Sequence, residues 1–187
     1  GINLKKIKFD DYPIIRIFDG KKVKGMLNPS SDTPTHSLLY KTFSEIGGIA
    51  HTHSKYATAW SQSKKEIPIL GTTHADYSRK NILVTRLLKK NNVNTNYEKN
   101  IGKSIINCLK QNKLKPLHCP GILVANHAPF CWGTDTNHAL KNSEIIEFLA
   151  ELAFITLQIN PKSKIDKHLI EKHFSRKNGN NAYYGQK

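Results

Sequence analysis

Two short apolar segments of this chain end in histidine, and any fold it adopts must accommodate both. The first, Gly47 to His53 (GGIAHTH), carries His51 and His53; the second, Gly121 to His127 (GILVANH), ends in His127. Alternate residues of a strand leave the same face, so His51 and His53 stand about 7 Å apart on one side of the pleat. An HxH pair alone suits a hydrogen-bonded core histidine as well as a metal. A third histidine after a second strand of the same design favours the metal, because three imidazoles with one position left open meet the usual requirement of zinc. Asp32, at the head of a helical segment, offers either an oxygen ligand or a helix N-cap, and the residues alone leave both uses open. His36, His118 and His138 have no comparable setting.

The rest of the pattern mixes strands and helices. Tyr12 to Phe18, a turn at Asp19-Gly20 and the return KKVKG read as a hairpin. A helix should start near Asp32, with proline in its first turn, and a short one should follow the capping residue Ser54. Ile67 to Leu70 and Ile82 to Thr85 are candidate strands, GTTHADY a loop, and Tyr97 to Gln111 a helix. The longest helix runs from Asp135 to Asn160, apolar at Leu140, Ile145, Phe148, Leu149, Leu152 and Ile155, and stops before Pro161. There is no regular βαβ alternation and no GxGxxG, which disfavours a doubly wound nucleotide fold.

A length of 187 residues suits one domain. No stretch reaches the roughly 18 apolar residues of a membrane span. The three cysteines, Cys108, Cys119 and Cys131, are odd in number and lack CxxC spacing, as expected of reduced thiols in a soluble cytoplasmic protein. The net charge of +15 would suit a nucleic-acid partner, but Lys and Arg are scattered along the chain without an aromatic-basic module. The expectation is a solvated basic surface, with neither nucleic acid nor membrane as partner.

Five blocks carry a resemblance: PSSDTPTH (Pro29 to His36), GGIAHTHS (Gly47 to Ser54), GTTHADY (Gly71 to Tyr77), NHAPFCWG (Asn126 to Gly133) and AYYGQ (Ala182 to Gln186). In order and over the whole chain, they resemble the L-ribulose-5-phosphate 4-epimerases of the class II aldolase/epimerase superfamily. The resemblance implies an α/β, class II aldolase-like fold, with a central, mainly antiparallel β-sheet flanked by helices, in a single domain over residues 1–187. It implies one zinc ion per subunit on His51, His53 and His127, with Asp32 as the nearby carboxylate. Asp76 and Tyr184 match the acid/base pair, Tyr184 reaching its site from a neighbouring subunit of a homo-oligomer, a tetramer by resemblance. Ser30, Ser31, Thr72, Glu98, His173 and Arg176 match positions lining the sugar phosphate. Family members carry an earlier segment, with an Asn and a Lys that help hold the phosphate, so the domain is expected to be N-terminally incomplete.

The implied reaction, in pentose catabolism such as that of L-arabinose, inverts a carbon whose hydrogen is not acidic, so it proceeds by cleaving C3-C4 and re-forming the bond on the other face of the aldehyde. Zinc acts as a Lewis acid toward the enediolate, and the two faces require two proton-handling groups. The reference pKa values of Asp and Tyr, about 3.9 and 10, lie on opposite sides of neutrality, so both need tuning by their surroundings. A class II sugar-phosphate aldolase is the nearest alternative, although a glutamate is typical there at the position of Asp32; an inactive truncated family member is the other.

Overall fold

The computed structural model describes residues 6–178 and 182–183. In chain order its elements are β1 (Ile14–Ile15), β2 (Lys22–Lys24), α1 (Thr33–Thr42), β3 (Gly48–His51), α2 (Lys55–Ser63), α3 (Thr72–Ala75), α4 (Lys90–Asn94), α5 (Tyr97–Gln111), β4 (Gly121–Leu123), β5 (Pro129–Gly133), α6 (Thr136–Ile159) and α7 (Lys167–Lys177). They fall into two compact units, Gly1–Ser44 with Leu88–Ile106, and Glu45–Leu87 with Asn107–Lys187.

In the first unit β1 and β2 pair antiparallel as the expected hairpin. The chain reverses at Gly20, whose φ of +73° lies in the left-handed region that favours glycine. Asp32 takes the N-cap position of α1, with Pro34 in the first turn, yet its carboxylate makes no capping bond. Leu39 and Thr35 are the buried residues of α1, and the Thr35 hydroxyl donates to the Glu98 carbonyl at 2.5 Å, tying α1 to α5.

The second unit is built on a three-stranded sheet of order β3-β5-β4, antiparallel at both pairings. Ile67, Ile82, Leu123, Cys131, Ile146, Ala57, Ala150 and Ala153 form its buried core. Helix α6 packs on β3 and β5 unusually closely. A Cβ on Gly48 would lie 2.3 Å from the Asp135 carbonyl oxygen, and one on its register partner Gly133 would lie 2.6 Å from the His138 Cβ. Two facing glycines therefore let the start of α6 meet the sheet backbone to backbone. The result is the α/β architecture expected, a mainly antiparallel sheet with helices against it.

Several elements differ from the sequence pattern, each for a physical reason. Ile67 to Leu70 and Ile82 to Thr85 make only isolated bridges, Ile67 to Ile82 and Val84 to Leu123. Pro68 cannot donate to a ladder and so keeps its segment short. GTTHADY contains the helical turn α3, closed by the Asp76 N–H on the Thr72 carbonyl at 3.0 Å and packed against α7. Ser54 precedes α2 in the extended conformation of an N-cap but makes no capping bond. Along α6 the buried face is largely small, with Ala139, Asn142, Ser143, Ile146, Leu149, Ala150 and Ala153, while Leu140, Phe148, Leu152 and Ile155 are exposed. All three cysteines are free and buried. Burial pushes the Cys108 thiol up to about 11 and Cys119 to about 12, and raises Cys131 as well.

Replacing Gly48 with Ala should force α6 off the sheet, since the atoms it meets are backbone. Overpacking of this kind costs about 1–3 kcal/mol, and each kcal/mol lowers the thermal midpoint of a domain this size by about 2–4 °C. Thermal unfolding followed by circular dichroism checks this; an unchanged midpoint would mean that α6 does not depend on the close approach.

Candidate active site

The register of β3 on β5 places His51 opposite Phe130. Their rings stack, with centroids 4.0 Å apart and planes 13° from parallel. The His51 Nδ1 lies 2.9 Å from the Pro129 carbonyl oxygen, and since a carbonyl only accepts, Nδ1 carries the hydrogen and Nε2 presents its lone pair. His127 does not end a strand: β4 stops at Leu123, and His127 closes the turn between β4 and β5 by donating its N–H to the Val124 carbonyl at 2.9 Å. Asn126, at φ +59°, makes the reversal. The turn is held on two sides, by the Asn126 N–H on the Ser61 carbonyl at 2.9 Å and the Ala125 N–H on the Thr85 hydroxyl at 3.1 Å.

Pairing and turn together bring the His127 Nε2 to 3.1 Å from the His51 Nε2. His53, in the link between β3 and α2, brings its own Nε2 to 3.2 Å from the same atom. Tetrahedral coordination at about 2.0–2.1 Å requires ligand nitrogens about 3.3–3.4 Å apart. The His51 Nε2 thus stands from each of the other two near the spacing that one metal ion imposes, with all three ligand atoms within 4.8 Å of one another, and the Pro129 carbonyl supplies the outer bond that orients a ligating imidazole. Among the described residues, these three histidines are the group of His, Cys, Asp or Glu side chains close enough together to hold a metal.

A second cluster forms where α3 meets α7. Asp76, the C-cap of α3, has a side chain only 12% exposed. It accepts from the His173 Nδ1 at 3.0 Å and the Arg176 guanidinium at 3.2 Å, with the Lys177 ammonium 3.3 Å away. The Asn178 amide donates to the Asp76 carbonyl at 3.0 Å. Burial raises the Asp76 pKa, but the bonds from Arg176, His173 and Lys177 outweigh it and hold the carboxyl below its usual range. Asp76 is therefore a carboxylate at neutral pH, able to accept a proton but not holding one to give. The shift runs away from neutrality, opposite to the tuning expected of an acid/base group.

Asp76, His173 and Arg176, assigned separately from the sequence, thus meet one another, and Thr72 stands one turn earlier on α3. In the first unit, Ser30 and Ser31 form the exposed turn before α1. The Ser30 hydroxyl accepts the Asp32 N–H at 3.2 Å, and Glu98 lies in the first turn of α5. Tyr184 lies outside the described residues; its neighbour Tyr183 donates its N–H to the Arg176 carbonyl at 3.0 Å. Sequence reasoning passed over Lys177, although it follows Arg176 directly, and the Phe130 and Pro129 supports of His51. It also passed over His74, which is buried on α3 with its pKa lowered to about 4 by desolvation, and so is neutral.

Residues 1–154 match the class II aldolase and adducin N-terminal domain family. The chain is 48% identical, over 188 aligned positions, to the L-ribulose-5-phosphate 4-epimerase UlaF of Salmonella paratyphi B and to that of Salmonella typhi. Each alignment covers all of this chain and 81% of the relative. In structure it resembles an L-fuculose 1-phosphate aldolase, with a TM-score of 0.76, 22% identity, and coverage of 94% of this chain and 76% of the other. The L-fuculose 1-phosphate aldolase from Glaciozyma antarctica PI12 follows at a TM-score of 0.69 and 18% identity, covering 92% and 63%. At these identities the structural likeness is one of fold.

Because folding lowers the Asp76 pKa, its contribution to stability is present above the unfolded value of about 3.9 and is lost as pH falls through the lower native value. Asp76→Asn should therefore destabilise the chain at pH 7, by about 1–3 kcal/mol as for charged hydrogen bonds. The gap from the parent should narrow as pH drops below about 3.9. Urea unfolding of both proteins across that range reads the effect, and a gap independent of pH would rule out the ion cluster as its source.

Proposed function

Because the chain belongs to the class II aldolase and adducin N-terminal domain family, we propose that it is an L-ribulose-5-phosphate 4-epimerase, interconverting L-ribulose 5-phosphate and D-xylulose 5-phosphate. The observation that carries this reading is the 48% identity to such enzymes along the whole chain. The family match runs from residue 1 to 154 through both compact units, which supports treating residues 1–187 as one class II aldolase/epimerase domain. No helix among the described residues is long and apolar enough to cross a membrane. The proposal places the enzyme in the cytoplasm, in pentose catabolism such as that of L-arabinose, with a sugar phosphate rather than nucleic acid or a membrane as its partner.

His51, His53 and His127 would hold one Zn²⁺ per subunit, with Asp32 as a further oxygen donor; the spacing of the His51 Nε2 from the other two nitrogens and the outer bond on His51 support this. A divalent ion so held supplies Lewis acidity to oxygens that gain negative charge when C3-C4 breaks. Asp76 and Tyr184 handle the hydroxyl protons on the two faces of the cleaved aldehyde. With its carboxyl kept ionised, Asp76 is the member of the pair ready to accept one. Ser30 and Ser31, in a turn at the start of a ten-residue helix, suit a phosphate, and Thr72, Glu98, His173 and Arg176 would complete the substrate's surroundings.

The purified enzyme should convert L-ribulose 5-phosphate to D-xylulose 5-phosphate with little free glycolaldehyde phosphate and contain one zinc per chain by elemental analysis. His51→Ala should lose metal and turnover together. Asp76→Asn should keep the metal and lose turnover by about 10²–10⁴-fold, the usual range for a positioned acid or base. Stoichiometric release of the aldehyde would make the protein an aldolase instead.

The enzyme is further proposed to work as a homo-oligomer, a tetramer, with active sites completed between subunits. The support lies on α6, where Phe148, Leu152, Ile155 and Ile159 follow one another at spacings of four, three and four residues and are all exposed. Such a stripe is the seam of a helix that packs on another helix. Sedimentation should show an oligomer in the parent and dissociation in Leu152→Glu; a monomer of full activity would exclude it.

A further inference from the structure

We propose that Glu147 is a positioning residue for the metal centre: from α6 its carboxylate caps α2 and so anchors the loop that presents His53. This rests on the reading of His51, His53 and His127 as metal ligands. The first amides of a helix have no partner within it, and a Ser at the N-cap ordinarily accepts from one of them. Ser54 has the extended backbone of an N-cap (φ −65°, ψ 147°) but makes no such bond, and the first turn of α2 holds no acidic residue. The partner comes instead from 90 residues along the chain. One Glu147 oxygen accepts the Tyr56 N–H at 2.8 Å, and the other accepts the Ala57 N–H at 2.9 Å. Both oxygens are engaged on the second and third residues of the helix, where a negative charge also meets the positive end of the helix dipole.

The consequence falls on His53. The link from β3 to α2 is three residues, Thr52 to Ser54. At its start the chain is fixed by the pairing of His51 with Phe130; at its end the two Glu147 bonds fix it. His51 and His127 are held by strand, turn and ring stacking, whereas His53 is exposed and its ring meets the other two edge-on, at centroid distances of 5.0 and 4.9 Å. It is the ligand whose place depends most on where its backbone is anchored. Helix α6 follows β5 after only Thr134 and Asp135 and also packs on β3, so one helix backs all the elements that carry the ligands.

The test is a double-variant cycle on zinc affinity, measured on the apo-protein by competition with chelators of graded strength. Glu147→Gln is nearly isosteric, but its amide offers one acceptor where two amides need acceptance. It should weaken zinc binding by about ten- to a hundredfold, the usual effect of losing an outer support of a ligand. Glu147→Asp, which keeps the charge and withdraws it by one methylene, should fall between that variant and the parent. In a His53→Ala background, Glu147→Gln should cause no further loss, because the ligand through which it acts is gone. Equal weakening in both backgrounds would reduce Glu147 to a general stabiliser of the fold and overturn the proposal, as would unchanged affinity in Glu147→Gln. A parent protein that binds no zinc would overturn the metal reading itself, and would be seen before any Glu147 variant is compared.

Discussion

The antiparallel pairing of Gly48–His51 with Pro129–Gly133 is the contact on which the second unit depends. It sets His51 on Phe130 and aims the His51 Nδ1 at the Pro129 carbonyl. It also brings the end of β3 beside the β4–β5 turn that carries His127. A slip of one residue would turn every side chain of β3 to the opposite face and separate the imidazoles. The register is secured at its far end by the Gly48–Gly133 pair, over which α6 closes too tightly for any side chain. Glycines at one end of a four-residue strand thus help to hold the histidine at the other.

Charge is arranged differently from what a net +15 suggests. Two cationic side chains of α7, Arg176 and Lys177, and the His173 imidazole converge on the largely buried carboxylate of Asp76 at the end of α3, and Tyr183 bonds back to the same helix. Asp76 is thereby both a structural tie between two short elements and a group whose ionisation is set by its neighbours. The two roles are linked by the same physics, since the cations that lower its pKa are those whose attraction docks α7. Arg176 and His173 are accordingly engaged with a carboxylate of their own chain in this arrangement.

Helix ends show how far apart in the chain a local need can be met. At α6 the cap is local, Asp135 accepting the His138 N–H at 2.8 Å, as an Asp before a helix leads one to expect. At α2 the residue in the cap position does not serve, and the carboxylate comes from Glu147 on another helix. The first is legible in a four-residue window. The second is invisible until the two helices are packed.

The sequence alone singled out the three imidazoles that the fold brings together, because they close two short apolar segments of the same design. It also determined the hairpin at Gly20, the starts of α1 and α6 and the span of α5, since these rest on turn, capping and periodicity signals that act within a few residues. Tertiary structure decided what depends on long-range contact. The tautomer of His51 follows from a carbonyl 78 residues away. The ionisation of Asp76 is set by side chains nearly a hundred residues downstream. Which face of α6 is buried could not be read from its apolar residues, because close approach to the sheet favours alanine and serine and leaves Phe148, Leu152 and Ile155 outside. In each case the sequence supplied a group with more than one possible use, and only the neighbour brought by the fold chose between them.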